Sequence, residues 1–323
     1  MSNETAATAQ GGTIDRKLAT DQVRYAVAGK NRSVLHAARW LKKLGAQLAG
    51  APSVAAARAL VPAPLAILVA GDSEGRARPE DVPRGAPTEI RLWDYEVGTP
   101  GIGAFASAVG GVSSVIGAAD GPPGVMPAFI PEKWAGIVGA SLALALRFAG
   151  RNGQGVPRTM DVCAADVLRA YAEQNSGNHA GVPYGWRRNG LAAVEHGGVF
   201  PQGFFPCGDG HVAVQARSRQ DWQCILDAVG NPPWSKEKEF QNPFTLSLDD
   251  SRIAPLLDAE LMKRTRRELL ELALATGAPM APVFNLEEAR AADVFRPGFM
   301  EDNGKVAAPW VVRRVERGAP LAE

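Results

Sequence analysis

Between residues 24 and 48, Val34, Leu35, Ala38, Leu41 and Leu44 recur at helical spacing and Gly45 follows as a stop, so the pattern predicts an amphipathic helix. Residues 64–70 form a short unbroken apolar run, which suits a strand buried on both faces. A helix followed by a buried strand points to a parallel sheet with crossover helices. After a polar connector over 71–87, residues 90–95 predict a further short strand. Pro131 opens an apolar helix, proline being tolerated in a first turn. Gly136, Gly139, Ala140 and Ala143 give that helix small surfaces for close packing, so it reads as a core helix.

The pattern changes near Ala192. Residues 204–214 read as two strands about the Asp209-Gly210 turn. Residues 218–229 predict a helix with Ser218 as cap and Asp221 in its first turn. Thr265 and Glu268 form a capping box for another helix, which Gly277 closes. Residues 279–284 read as an extended segment, and Asn285 caps a last helix through Ala292. The expected class is α/β, with an open parallel-sheet large domain over 21–194 plus 286–323 and a smaller α+β domain over 195–285. Residues 1–20 have little to bury and read as a disordered tail.

Charge narrows the functional classes. Lysine and arginine total 35 against 34 aspartates and glutamates, which leaves no electrostatic footprint for nucleic acid or an acidic membrane surface. The longest apolar run, 134–148, falls short of a membrane span. Cys163, Cys207 and Cys224 have neither zinc-site spacing nor the even number of a disulfide framework, so a reducing, cytoplasmic setting is expected.

No phosphate loop, HExxH motif or GxSxG elbow is present. Residues 98–124 contain eight glycines, a density that marks close backbone approach or a ligand-facing loop. Glu132 follows this stretch and begins the apolar helix, where a carboxylate is favoured by roughly 0.3–1 kcal/mol. A helix-start glutamate with no further role remains the plain alternative.

The segment 101–136 resembles the part of family III CoA-transferases that leads into their catalytic carboxylate. Gly111, Gly121-Pro122-Pro123, Glu132 and Ala135-Gly136 stand in the matching places, with glutamate for the usual aspartate. Gly153-Gln154-Gly155 and Met160-Asp161-Val162 continue the likeness, as does Pro206-Cys207-Gly208-Asp209-Gly210 in the hairpin. Residues 265–283 resemble the family's later T-R-x-E-L and A-P-V stretches. The related racemases carry a histidine thirty positions earlier, where this chain has Ile102, and isoleucine cannot exchange a proton. The family's basic nucleotide-binding segment has no counterpart, and the chain reads as shortened at its N-terminal end.

The resemblance implies CoA transfer between carboxylic acids, with Glu132 as nucleophile and glycines Gly110, Gly111, Gly197 and Gly198 closing over the thioester. It implies no permanently bound cofactor, coenzyme A thioester as substrate, and an interlocked homodimer or a heteromer with a homologous subunit. Another CoA-thioester reaction on the same fold (isomerase, lyase or hydrolase) and a non-catalytic subunit stand as alternatives.

Overall fold

The computed structural model describes residues 23–291 apart from 119, 128, 152–154, 176–177, 180–181, 184–187 and 189–198. These residues form two compact units, 23–110 with 126–168 and 111–125 with 169–291. The expected tail over 1–20 and the C-terminal part beyond 291 lie outside the described residues.

The first unit is built on a parallel sheet. Its strands are β1 (Arg24–Ala28), β2 (Gln47–Ala51), β3 (Ala66–Ala70), β4 (Thr88–Trp93) and β5 (Thr159–Cys163), in the order β2-β1-β3-β4-β5. All four pairings are parallel. The apolar run at 64–70 becomes β3, buried at every residue, as a central parallel strand requires. The helices are α1 (Arg32–Lys43), α2 (Val54–Arg58), α3 (Gly71–Glu74), α4 (Gly103–Val109) and α5 (Ile130–Arg151); α6 (Ala164–Asn175) follows β5.

One reading of the first fifty residues is corrected. The helix expected over 24–48 begins only at Arg32, and the residues before it are β1. Asn31 sets that boundary, because its side chain accepts the Val34 N–H as an N-cap. The helix gives way at Gly45, whose φ of 89° leaves the right-handed region, and β2 follows. Five-residue strands with small residues carry too little periodicity to be told from helix.

Small residues let α5 sit close, as the sequence implied. A Cβ at Gly136 would lie 2.7 Å from the His36 Cβ and from the Ser33 carbonyl oxygen on α1. A Cβ at Gly139 would lie 2.5 Å from a Leu92 methyl on β4. The helix is not enclosed, however: Ile137 and Phe148 are 42% and 60% exposed on its outer side. An apolar helix laid on one face of a sheet buries only the stripe that meets the sheet.

In the second unit the short pair β6 (Asn178–His179) and β7 (Val182–Pro183) precedes a three-stranded antiparallel sheet. That sheet comprises β8 (Gln202–Cys207), β9 (Gly210–Gln215) and β10 (Met280–Pro282), in the order β10-β9-β8. Its helices are α7 (Arg219–Ala228), α8 (Pro243–Leu246), α9 (Ile253–Leu261), α10 (Arg266–Thr276) and α11 (Leu286–Ala291). The cap at Ser218, the capping box at Thr265 and the left-handed Gly277 stand where the sequence placed them. Trp222 and Phe205 are buried, each ring meeting Phe200 edge-on, and the indole N–H donates to the Phe240 carbonyl at 2.8 Å. Trp222→Ala should therefore cost about 3–5 kcal/mol in chemical denaturation, the range for large core truncations. A loss below about 1 kcal/mol would show that the ring does not anchor α7.

Candidate active site

Glu132 lies in the first turn of α5 and is 2% exposed. Its Oε1 accepts the backbone N–H of Gly103, the first residue of α4, at 2.9 Å. Its Oε2 is buried and has no hydrogen-bond partner. Gly103 makes this seat possible: a Cβ there would stand 2.0 Å from Oε2 and 2.4 Å from Cδ. The carboxylate thus occupies the volume that a side chain at position 103 would fill. Ile102, one residue before, is 52% exposed, so the carboxylate lies one residue beneath the surface.

The neighbouring glycines divide by role. Gly101 lets the chain cross Tyr95, whose ring a Cβ would meet at 2.6 Å. Gly110 is buried, with Leu168 Cβ 2.8 Å from where its own Cβ would be, so its missing side chain serves packing against α6. Gly111 is exposed, at φ 82° with open space around it. Gly197 and Gly198 lie outside the described residues. His211, on the hairpin, is exposed.

The carboxyl ends of β1, β3 and β4 carry a polar network that the sequence did not reveal. The order of strand addition reverses between β1 and β3, which is where open α/β sheets usually receive ligands. Here the chain's own carboxylates fill the position. Asp94 accepts the backbone N–H groups of Arg32 at 2.9 Å and Ser33 at 2.8 Å, together with the Ser33 hydroxyl at 2.6 Å. It therefore satisfies the α1 N-terminus that a ligand phosphate would otherwise take. The Asn31 amide donates to Asp72 and to the Leu92 carbonyl, joining the β1 and β3 ends. Burial pushes the Asp72 carboxyl up from its ordinary value; the Asn31 hydrogen bond opposes this and the charge of Asp94 adds to it. Recognising the network required β1, and with it the β1–β3 switch point.

Among the described residues no group of three His, Cys, Asp or Glu side chains could hold a metal ion. Among the same residues no helix is long and apolar enough to cross a membrane.

CoA-transferase family III matches residues 95–314. The succinyl-CoA:mesaconate CoA-transferase of Haloarcula marismortui is 24% identical over 219 residues, which are 66% of this chain and 51% of that protein. A probable fatty acyl-CoA transferase of Mycobacterium tuberculosis is 24% identical over 191 residues, 55% of this chain and 47% of the relative. The chain spans about half the length of the curated relatives it matches. A CAIB/BAIF family protein from Brucella suis superposes with a TM-score of 0.69 at 14% identity, covering 90% of this chain and 92% of the other. The mycobacterial protein superposes with a TM-score of 0.64 at 19% identity, covering 86% and 87%. These structural likenesses establish the fold.

Proposed function

Because the chain belongs to CoA-transferase family III, we propose that it moves CoA between carboxylic acids, with Glu132 as the carboxylate that carries the intermediates. The observation that supports this most is the pairing of one fixed and one unpartnered oxygen on a buried carboxylate. An unsatisfied buried acceptor costs roughly 1–3 kcal/mol or more, and such a group invites an explanation in function. Oε2 attacks the donor thioester carbonyl, the C–S bond breaks, and CoA leaves as thiolate with a mixed anhydride on Glu132. The thiolate then attacks the glutamyl carbonyl, releasing the donor acid and leaving a Glu132–CoA thioester. An acceptor carboxylate reverses the two steps. No redox change and no bound cofactor are needed.

Buried on a residue that is 2% exposed, Oε2 is closed to a thioester in the resting chain, so turnover includes displacement of the first turn of α4, where Ile102 already faces solvent. The same burial favours a second reading, a non-catalytic subunit in which Glu132 only braces α4 against α5. A dimer, or a heteromer with a homologous subunit, accords with the apolar outer side of α5. The free state of Cys163, Cys207 and Cys224 accords with work in the cytoplasm.

Hydroxylamine trapping during turnover separates the readings. With succinyl-CoA and mesaconate as the first pair, then longer acyl donors, a glutamyl thioester at Glu132 becomes a hydroxamate visible by peptide mass. Transfer accompanied by a label at Glu132 upholds the nucleophile. Absence of both transfer and label across the set, for the chain alone, favours the non-catalytic subunit.

A further inference from the structure

We propose that Arg32, His36 and Arg39 of α1, with Lys133 of α5, form a binding site for phosphate groups, and that its ligand is the phosphorylated nucleotide end of the CoA thioester. The ligand assignment rests on the CoA-transfer reading above; the anion site does not. Positions 32, 36 and 39 recur at i, i+4 and i+7, so the three basic side chains share one face of α1. That face meets α5, since the backbone of α5 at Gly136 touches His36 and Ser33. Lys133 lies one turn before Gly136, and Arg32 one turn before His36, so both cations stand at the same end of the helix pair. Phe129 links them: the Arg32 guanidinium carbon lies 3.4 Å from its ring centroid, and its carbonyl accepts the Lys133 N–H at 2.9 Å.

Solvated cations on a helix usually alternate with acidic residues, and α1 has none. Among the described residues, Arg32, Arg39 and Lys133 form no ion pair. Lys133 also occupies the first turn of its helix, where the macrodipole disfavours positive charge. The field is felt at His36. Burial pushes its pKa down, Arg39, Lys133 and Arg32 push the same way, and Asp94 alone pulls up. Asp94 is held by the α1 backbone and is the one carboxylate acting on His36, against three cations. A phosphate dianion supplies the missing negative charge and matches the arginine forks better than a point charge does. It would also raise the His36 pKa, so binding takes up a proton and strengthens as pH falls from about 8 to about 6. The site would supply nucleotide contacts on α1 and α5 in place of a basic segment that this chain does not show.

Calorimetry of the full chain with CoA, dephospho-CoA and inorganic pyrophosphate tests the assignment, using the exposed-residue variants Arg39→Gln and Lys133→Gln. Each should weaken both CoA and pyrophosphate about tenfold and flatten the salt dependence, the scale of one lost charged hydrogen bond. CoA should bind more tightly than dephospho-CoA. If CoA binds the variants as tightly as the parent, the site is overturned while the CoA-transfer reading stands. Pyrophosphate binding that the variants lose, with no CoA binding, upholds the anion site and overturns its ligand. Binding of neither by the parent overturns both parts of the proposal.

Discussion

Glu132→Gln should lower CoA transfer by roughly 1,000-fold or more, the scale on which removing a covalent nucleophile acts, and should leave the fold intact. The two side chains have the same shape, so the amide oxygen still accepts the Gly103 N–H. The amide nitrogen takes the place of Oε2, which has no partner to lose. An unpartnered neutral amide is less costly to bury than an unpartnered carboxylate, so thermal stability should be unchanged or slightly raised. Activity and stability therefore move apart, which ordinary damage to a buried residue does not produce. The hydroxylamine label should vanish with the activity. Undiminished transfer by Glu132→Gln would sink the nucleophile assignment.

What the sequence disclosed followed from the strength of its local signals. The run at 64–70, the Asp209-Gly210 hairpin, the Thr265–Glu268 box and the long helix after Pro131 each carry a distinctive pattern, and each stands in the structure. β1 and β2 carry none: they are five-residue strands beside α1, and their identity comes from parallel pairing with residues far along the chain. Missing β1 hid the carboxyl ends of the strands where Asn31, Asp72 and Asp94 meet. The site was legible only in part for a related reason. Glu132 could be singled out from its place at a helix start, but its partner is a backbone N–H twenty-nine residues earlier. Gly103 appeared as one glycine among eight, and nothing local distinguished it from Gly110, which packs on Leu168.

Gly103→Ala should cut transfer by about 100-fold or more and cost about 1–3 kcal/mol of stability, although alanine is the better helix former. Position 103 is the first residue of α4, and its φ is not positive, so the backbone accepts alanine without strain. The added methyl meets the carboxylate instead, 2.0 Å from Oε2 and 2.8 Å from Oε1, distances no packed atoms tolerate. Glu132 must swing away, breaking its 2.9 Å hydrogen bond inside a site that is 2% exposed and has little room to receive it. Gly111→Ala is the contrast: with φ at 82° and open space, it carries backbone strain of roughly 1–2 kcal/mol and no clash. The decisive variant is the pair Gly103→Ala with Glu132→Asp. Aspartate is one methylene shorter and draws the carboxylate back from the methyl, so stability should recover by about 1 kcal/mol or more relative to the sum of the single changes. Activity should not recover with it, because the shortened carboxylate is misplaced by about 1 Å. Denaturation midpoints and transfer rates of the four proteins read the coupling directly. Gly103→Ala with stability and turnover within twofold of the parent would show that Glu132 is not held against α4 in solution.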